Sequence, residues 1–334
     1  MRRQGEVFDA IVSAENLRLA FCKAARGRGA EPEVAQFRAR LQENLEAMRR
    51  DLLGGTLALG DYFFFTVRDP KVRRICAAPF RERVLQHALM NVCEPHFERF
   101  LIFDTYACRK GKGNVRAIAR AQDFARKNDW YLKLDIAKYF DSIDHAAALA
   151  LLQRRFKDRR LVRLFETILN TYETAPGKGL PIGNLFSQHL ANQYLGVFDH
   201  WLKEQRRWRH YLRYMDDMLL FGASRQALAQ ELECIRRFLE EKLHLRLKSN
   251  VQLNRVRYGV PFLGFRIFPG HVRLGAQAKR RFAKKYAACE RLYRAGVWTA
   301  LDLTIHAQAL TAFTQTGDCK PFRRCCLSRS LALS

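Results

Sequence analysis

The sequence is 334 residues long, and its 59 Lys and Arg residues against 33 Asp and Glu residues give a formal net charge of +26. So basic a composition indicates a partner that carries many negative charges, and nucleic acid is the usual one. Hydrophobic residues make up 48% of the chain, which excludes a disordered basic tail and predicts a packed core. The length predicts about two or three domains.

The sequence contains no predicted membrane segment and no predicted metal-binding cysteine cluster. Its apolar stretches stay short of the roughly 20 residues that cross a bilayer, and its first residues lack the apolar run of a signal peptide. The nine cysteines include no Cys-x-x-Cys pair, which favours free thiols over a zinc site. We therefore expect a cytoplasmic protein with no membrane partner.

In chain order, periodic apolar residues predict a series of helices. Spacings of three and four residues, ended by glycine or polar residues, are typical of helices. The predicted helices cover residues 33–53, 80–92, 114–125, 145–156, 187–203 and 225–243. The third begins at Asn114, which is expected to be its N-cap.

Between the first helices, β-rich segments predict a basic hairpin and a strand that ends in an acid. The hairpin covers residues 62–77 and turns at Asp69-Pro70. Residues 130–136 alternate between two faces, one of which is expected to pack on the core. Tyr131 and Asp135 belong to the opposite face. Asp135 is therefore expected at a strand end, on the side away from the core.

Further β-rich segments lie in the second half of the chain. Residues 211–221 predict a hairpin with Asp216 and Asp217 at its tip, and residues 261–267 are β-rich around a glycine. From residue 271 onward, 12 Lys and Arg residues stand against 3 acids. We expect this segment to form a helical tail that contacts phosphate groups.

Three carboxylates need an explanation in so basic a chain. Asp216 and Asp217 would repel each other at a hairpin tip, and Asp135 ends a strand that can lie beside them. Two divalent cations about 3.5–4 Å apart, held by carboxylates of adjacent strands, would account for all three. The alternative is ordinary turn chemistry for the pair and a helix cap at Asp135. The combination of acids and apolar strands favours the metal site.

The motifs around these acids resemble those of reverse transcriptases. Residues 214–217 (YMDD) match the family's motif C, and residues 135–145 (DIAKYFDSIDH) resemble its motif A. The resemblance implies an α+β right-hand polymerase with fingers, a palm of antiparallel sheet plus helices, and a helical thumb. It also implies RNA-directed DNA synthesis with two Mg²⁺ ions. The implied metal ligands are Asp135, Asp216, Asp217 and the main-chain carbonyl of Ile136.

The same resemblance covers most of the chain and divides it into four parts. Residues 1–60 would be an N-terminal helical extension, residues 61–130 the fingers, and residues 131–260 the palm, with part of the fingers interleaved around 145–185. Residues 261–334 would contain the primer grip and a basic helical thumb.

The resemblance also assigns residues to nucleotide, primer and phosphate binding. Phe140 matches the bulky side chain that excludes a ribose 2′ hydroxyl, and Lys248 lies near the lysine of motif D. The residues assigned to the incoming dNTP are Lys71, Arg73, Arg74, Phe140, Ile182, Gly183 and Lys248. The primer grip is assigned to Phe262, Leu263 and Gly264, and nucleic-acid phosphates to Lys279, Arg280, Lys284 and Lys285. For each residue taken singly, a surface cation or a core aromatic is the alternative interpretation.

Motif B, residues 179–188 (GLPIGNLFSQ), resembles that of reverse transcriptases from diversity-generating retroelements. Most reverse transcriptases have Gln where this chain has Ile182, and Ser-Pro where it has Ser187-Gln188. Residues 106–113 (YACRKGKG) also resemble the subfamily, whereas Phe186 departs from the small hydroxyl residue of many members.

Membership of that subfamily implies a specific function and partners. The enzyme would copy a template-repeat RNA into cDNA with frequent errors at adenines, and the cDNA would replace part of a variable protein gene. The partners would be template RNA, cDNA, dNTPs and a small basic helical accessory protein, in a bacterium or a phage-infected bacterial host. A physical reason for the errors is that Ile182 lacks the hydrogen bonds with which Gln fixes base-pair geometry.

Two alternatives remain open on the sequence. A group II intron or retron type reverse transcriptase would be expected to have Gln at position 182 and Pro at position 188. A non-catalytic RNA-binding protein with a polymerase fold would be expected to lack a carboxylate of the triad, and all three are present.

Overall fold

The computed structural model describes residues 7–68 and 72–331. In this part of the chain, helices alternate with short strands. The described helices are α1 (Val7–Ile11), α2 (Ala14–Ala24), α3 (Pro32–Ala39), α4 (Leu41–Gly54), α5 (Phe80–Glu98), α6 (Asn114–Ala125), α7 (His145–Gln153), α8 (Arg159–Leu169), α9 (Leu185–His200), α10 (Arg225–Leu243), α11 (Ala276–Arg294), α12 (Ala300–Thr314) and α13 (Lys320–Leu331). No helix of the described residues is both long enough and apolar enough to cross a membrane.

The described strands form three antiparallel sheets. They are β1 (Phe63–Arg68), β2 (Val72–Ala77), β3 (Trp130–Asp135), β4 (Tyr211–Tyr214), β5 (Asp217–Gly222), β6 (Gln252–Arg255), β7 (Val260–Phe262), β8 (Phe265–Ile267) and β9 (Val272–Leu274). The strand orders are β1-β2, β4-β5-β3-β6 and β7-β8-β9. Neighbouring strands pair antiparallel throughout.

The chain divides into two compact units, each built from several segments. Unit 1 consists of Met1–Phe103, Ile136–Arg207 and Cys234–Lys248. Unit 2 consists of Asp104–Asp135, Trp208–Glu233 and Ser249–Ser334. Unit 1 therefore contains the β1-β2 hairpin, and unit 2 contains the other two sheets.

In unit 1, the core includes helix α9, whose apolar and aromatic residues are buried on most sides. A helix that is hydrophobic all round is expected inside a protein. The Tyr194 hydroxyl is buried and donates to the Leu243 carbonyl at 2.8 Å. Phe186 stacks on Phe165 of α8 with ring centroids 5.3 Å apart. Phe186, which departs from the small hydroxyl residue expected from the motif B resemblance, is thus a core residue with an aromatic partner.

In unit 2, one apolar cluster joins α6 to both sheets. The buried face of α6 contributes Ile118 and Phe124, and the strands contribute Leu219 and Phe265. Alanines at other positions of this face let the helix approach closely. Tyr131 of β3 also belongs to the cluster and is 3% exposed. The prediction that the Tyr131 face lies away from the core is wrong, because both faces of β3 are packed.

Two helix predictions are corrected by the structure. The apolar pattern over residues 33–53 belongs to two helices, because Arg40 takes φ −125° and ψ 45° and interrupts the helical backbone. Asn44 then donates from Nδ2 to the Phe37 carbonyl at 3.0 Å across the break. Asn114 is the first residue of α6 and not its N-cap, a position that Gly113 occupies with φ 90°.

The pairing of β1 with β2 confirms the predicted hairpin over residues 62–77, and its predicted turn at Asp69-Pro70 lies outside the described residues. The predicted hairpin over residues 211–221 is confirmed, but its turn consists of Met215 and Asp216, so Asp217 begins β5 and does not lie at the tip as predicted. The glycine-centred segment 261–267 is confirmed as the β7-β8 hairpin. The sequence patterns did not predict α8, β6 or β9. The tail expected to be helical from residue 271 onward begins with strand β9, and its helices start at Ala276.

Candidate active site

The central sheet of unit 2 brings the predicted acids to one end of two paired strands. Asp135, the last residue of β3, lies opposite Asp217, the first residue of β5. Tyr214, at the end of β4, also pairs with Asp217. Met215 and Asp216 are therefore the two residues of a tight hairpin turn. Directly opposite residues of an antiparallel pair project to the same face, so Asp135 and Asp217 share one face of the sheet.

The turn that carries Asp216 has an unusual backbone. Met215 has φ 56°, in the left-handed region that favours glycine. A non-glycine residue held there costs about 1–3 kcal/mol, and the surrounding structure must hold it in place. Arg213 provides one such contact: its side chain is fully buried, and its Nη1 donates to the Met215 carbonyl at 2.9 Å. The buried Arg213 guanidinium therefore stabilises the Met215-Asp216 turn.

Asp217 lies in a strongly perturbed electrostatic environment. Burial raises the pKa of its carboxyl to about 6, the nearby Lys133 ammonium opposes this shift, and the charges of Asp135 and Asp216 add to it. The Lys133 Nζ lies 3.2 Å from Asp217 Oδ2. Asp135 and Asp216 thus both act electrostatically on Asp217.

The donor set of the acids fits a divalent cation that also binds a substrate. Asp217 Oδ1 is buried and has no hydrogen-bond partner. Among the described residues, no group of three or more His, Cys, Asp or Glu side chains is placed to hold a metal ion. Mg²⁺ commonly binds through one or two carboxylates, water and substrate phosphates, without a complete protein cage. The orphaned oxygen and the adjacent acids suit this mode of binding.

In unit 1, the β1-β2 hairpin separates the two described arginines assigned to the nucleotide. Both are exposed; Arg73 pairs with Val67, whereas Arg74 pairs with Thr66 on the opposite face. The Arg74 guanidinium lies 4.0 Å from the centre of the Phe64 ring. Lys71, the third cation of this prediction, lies outside the described residues.

Motif B is joined to β2 by its backbone, also within unit 1. The Ile182 carbonyl accepts a hydrogen bond from the Cys76 N–H at 2.7 Å, while its side chain is half-buried. Gly183 has φ 121°, and a Cβ atom there would lie 2.8 Å from the Cys76 carbonyl oxygen. Only glycine allows this close approach of the two segments.

The motif A segment continues into unit 1 with a short 3₁₀ turn, Phe140–Ser142. Phe140 is half-buried, and its carbonyl accepts from the Leu180 N–H at 2.8 Å, which fixes the turn against motif B. Ile136 is buried and forms an antiparallel bridge with Leu247. Lys248 follows Leu247 directly and is half-buried.

The predicted primer grip forms the turn of the β7-β8 hairpin in unit 2. Phe262 is 1% exposed and belongs to the core, so its side chain is not available to a ligand. Leu263 and Gly264 have φ 48° and 85° and form the turn itself. The Gly264 carbonyl accepts from the Gly275 N–H at 2.9 Å, which links the turn to the start of α11.

The four predicted phosphate-binding cations of α11 differ in their surroundings. Lys279 is half-buried, and its Nζ lies 5.6 Å from the centre of the Phe322 ring. Arg280, Lys284 and Lys285 are exposed.

The sequence analysis missed Lys133 and Arg213 as site residues. Both interrupt apolar strand segments, Lys133 between two leucines and Arg213 between Leu212 and Tyr214. A charged residue in a strand that is expected to be buried is a signal for a specific partner. That signal was present, but the sequence could not identify the partners.

A reverse transcriptase (RNA-dependent DNA polymerase) family model matches residues 68–267, which is more than half of the chain. Protein YkfC of Escherichia coli (strain K12) is 25% identical over 304 residues, covering 75% of this chain and 80% of YkfC. Nuclear intron maturase 4, mitochondrial, of Arabidopsis thaliana is 26% identical over 167 residues, 46% of this chain and 20% of that protein. The putative COX1/OXI3 intron 1 protein of Saccharomyces cerevisiae is 24% identical over 177 residues, 48% of this chain and 21% of that protein.

A solved structure of apo telomerase from Candida tropicalis resembles this chain with a TM-score of 0.53 at 10% sequence identity. The likeness covers 82% of this chain and 61% of the telomerase chain and concerns the fold alone. It confirms the predicted α+β right-hand polymerase fold. Together with the match of the family model over more than half of its length, this fold identifies the chain as a member of the reverse transcriptase (RNA-dependent DNA polymerase) family.

Proposed function

We propose that the protein is an active RNA-directed DNA polymerase whose metal-binding acids are Asp135, Asp216 and Asp217. The observation that carries the proposal is the pairing of Asp135 with Asp217 beside the two-residue turn that holds Asp216. The buried and unpaired Asp217 Oδ1 supports it, because a carboxylate oxygen without a partner suits a cation that arrives with substrate. A non-catalytic relative would have no need to keep three repelling acids together.

In this mechanism the residues of the chain bind, orient and select. Two Mg²⁺ ions, when bound, would lower the pKa of the primer 3′ hydroxyl and neutralise charge on the leaving pyrophosphate. Asp135, Asp216 and Asp217 would hold them, with the Ile136 carbonyl as a further ligand. Phe140 would exclude the ribose 2′ hydroxyl.

Cationic residues would bind phosphate in the same mechanism. We assign the triphosphate to Lys71, Arg73, Arg74 and Lys248, with Ile182 and Gly183 beside the new base pair. The primer strand is assigned to the Phe262–Gly264 segment, where the main chain of Leu263 and Gly264 is the part outside the core. The duplex phosphates are assigned to Lys279, Arg280, Lys284 and Lys285, since cationic donors suit phosphate oxygens.

The proposed division of labour follows four segments. Residues 1–60 would be an N-terminal extension, 61–130 the fingers, 131–260 the palm with fingers interleaved around 145–185, and 261–334 the primer grip and thumb. Template RNA, cDNA and dNTPs are the proposed ligands.

A primer-extension assay tests the polymerase activity directly. The full chain should extend a DNA primer on an RNA template with dNTPs when Mg²⁺ is present and should stop when EDTA removes it. Binding of the primer and template without extension at any Mg²⁺ or Mn²⁺ concentration would favour the non-catalytic alternative.

We further propose that the enzyme makes adenine-mutagenic cDNA from a template-repeat RNA for a diversity-generating retroelement. Motif B supports this, because Ile182 stands where most reverse transcriptases have Gln and Ser187-Gln188 stands where they have Ser-Pro. The Ile182 side chain is half-buried, and its backbone is already fixed by Cys76. The side chain can therefore act on fidelity without holding the loop. The accessory protein and the bacterial or phage setting belong to this proposal.

The intron maturases among the relatives support a different assignment, a group II intron type reverse transcriptase. The two assignments differ in the expected errors of the cDNA, so sequencing cDNA made on one defined RNA separates them. The mutagenic assignment predicts errors concentrated opposite adenine. Ile182→Gln should lower the frequency of these errors about tenfold, which corresponds to a gain of about 1.4 kcal/mol in discrimination between bases. Equal, low error rates opposite all four bases would favour the intron type enzyme.

A further inference from the structure

Lys133 occupies a position that the polymerase mechanism above does not use. It lies in the middle of β3, two residues before Asp135, so strand alternation puts both side chains on the same face. Lys133 pairs with Leu219, which makes Asp217 its diagonal neighbour on β5. A long side chain can span this diagonal. Its Nζ does so and reaches Asp217 Oδ2 at 3.2 Å.

The same ammonium has a second partner in unit 2. Lys133 Nζ also donates to the Pro261 carbonyl at 3.0 Å. Pro261 lies in the middle of β7 and directly precedes the proposed primer-grip segment Phe262–Gly264. Both Lys133 and Asp217 are largely buried, with side chains 19% and 21% exposed. The ammonium thus joins an acid of the proposed metal site to the strand that leads into the proposed primer grip.

The two oxygens of Asp217 have different roles in this arrangement. Oδ2 is engaged by Lys133, whereas Oδ1 is buried and has no hydrogen-bond partner. A carboxylate held through one oxygen cannot rotate freely, so the other oxygen points in a fixed direction. Groups that orient a metal ligand in this way commonly matter almost as much as the ligand, and their loss lowers metal affinity by about 10–100-fold.

We propose that Lys133 is a positioning residue: it holds Asp217 through Oδ2, anchors it to the Pro261 carbonyl, and leaves Oδ1 directed at a divalent cation. This inference rests on the proposed function of Asp217 as a metal ligand. Loss of this positioning contact and loss of a nearby positive charge would change the metal affinity in opposite directions. A positive charge this close to a cation site repels the cation, so removal of the charge alone would strengthen metal binding at a pH at which Asp217 stays ionised in the variant, and the test is run at such a pH. Loss of a positioning contact would weaken metal binding.

Binding of Mn²⁺ to the full chain, without nucleic acid, distinguishes the two effects. Loss of the electron paramagnetic resonance signal of free Mn²⁺ measures the affinity, and Asp217→Asn identifies the part of the binding that depends on Asp217. We expect Lys133→Met, which keeps the aliphatic stem, to weaken this part at least tenfold. Lys133→Arg, which keeps a charged donor, should stay within about threefold of the wild type. Lys127→Met is the matched control, since Lys127 is exposed and lies three residues before β3 begins.

Primer extension provides the second readout. With Lys133→Met, the Mg²⁺ concentration for half-maximal rate should rise about tenfold, while the KM for dNTP at saturating Mg²⁺ changes little. Unchanged or tighter Mn²⁺ binding by Lys133→Met would overturn the positioning role. If Lys133→Met does not fold, Lys133→Gln replaces it, and its Asp217-dependent affinity should fall several-fold.

The outcomes also separate this inference from the function on which it rests. A wild-type protein whose Mn²⁺ binding is unaffected by Asp217→Asn would contradict the metal site itself and the role of Lys133 with it. A wild-type protein with Asp217-dependent binding that Lys133→Met leaves intact would contradict the role of Lys133 alone.

Discussion

At the scale of single residues, the site depends on a carboxylate that is costly to ionise. Asp217 is mostly buried, lies opposite Asp135 and has one oxygen without a partner. Burial is the largest cause of its raised pKa, and the Lys133 ammonium offsets only part of the effect. An acid in this state lowers the stability of the protein without ligand, which is the usual trade between stability and function at an active site.

Because ionisation of the buried Asp217 carboxyl costs free energy, we expect the effect of Asp217→Asn on stability to depend on pH. The folded-state pKa of about 6 lies above the ordinary value of 3.8 for an aspartate, so the wild type loses stability as pH rises through this range. Asn removes the charge but keeps an oxygen for Lys133. In EDTA at pH 8, the variant should therefore be more stable than the wild type by about 1–3 kcal/mol.

Urea unfolding at several pH values measures the difference in the free energy of unfolding between Asp217→Asn and the wild type. This difference should shrink towards zero as pH falls from 8 to 4. Asp129→Asn removes a charge at an exposed acid just before β3 and is the matched control. A gain that is equal at pH 5 and pH 8 would show that ionisation of Asp217 carries no cost.

Because neighbouring residues fix the position of Phe140, we expect its substitution to change the selection between ribonucleotides and deoxyribonucleotides. Its carbonyl is bonded to Leu180, and the neighbouring Tyr139 is buried, so the position of the half-buried ring is well defined. Phe140→Ala should raise the incorporation of ribonucleotides relative to deoxynucleotides by at least tenfold, because it opens space at the 2′ carbon. Single-nucleotide incorporation with each dNTP and its rNTP measures the ratio. An unchanged ratio would place the selection elsewhere, and Phe103→Ala, at a 69% exposed phenylalanine, is the control.

At the scale of helices and strands, the sequence predicted the elements whose residue pattern lies within one short segment of the chain. The acidic hairpin was predictable because apolar strands flank a polar pair, and the structure confirms it with Tyr214 opposite Asp217. The helix break at Arg40 could not be predicted, because the apolar spacing runs through it without a glycine or proline. The burial of Tyr131 could not be predicted either, since it depends on α6 and the β7-β8-β9 sheet, which are distant in sequence.

The candidate site shows the same limit. Residue types and spacing predicted which acids belong together, and they lie on paired strands. Spacing could not predict that Lys133 bonds to both Asp217 and Pro261, because the residues are 84 and 128 positions apart. Strand alternation puts Arg73 and Arg74 on opposite faces of the hairpin, but spacing could not predict that the Arg74 guanidinium lies over the Phe64 ring.

The α11 helix predicts which cations affect RNA binding. Arg280 and Lys284 are exposed and one helical turn apart, so they can contact the same strand, whereas Lys279 lies beside the Phe322 ring. Arg280→Glu with Lys284→Glu should weaken RNA binding and flatten the dependence of log K on log salt by about 1 to 2. Fluorescence anisotropy at several salt concentrations measures both effects.

The control for this prediction carries the same change of net charge. Arg237 and Lys242 are exposed on α10, and their replacement by Glu should leave the salt slope nearly unchanged. If both double variants flatten the slope equally, the effect comes from net charge and not from contacts of α11.

At the scale of the whole molecule, nucleic-acid binding and catalysis rest on different residues. The net charge of +26 is spread over both units, whereas the proposed chemistry depends on three acids of the central sheet of unit 2. Binding should therefore survive the loss of one acid, and synthesis should not. Membership of the reverse transcriptase family is compatible with catalytic and non-catalytic proteins, so this separation is the decisive property.

Primer extension by Asp216→Ala, compared with the wild type on one RNA template, tests the central claim most directly. Asp129→Ala removes an equal charge at an exposed position and serves as the control, and anisotropy on the same samples measures RNA binding. We expect Asp216→Ala to lower DNA synthesis by at least 10³-fold, because it removes a metal ligand worth about 4 kcal/mol of transition-state stabilisation. Its RNA affinity should stay within about threefold of the wild type. Synthesis by Asp216→Ala at the rate of Asp129→Ala would contradict the assignment of the acids and, with it, the proposed mechanism.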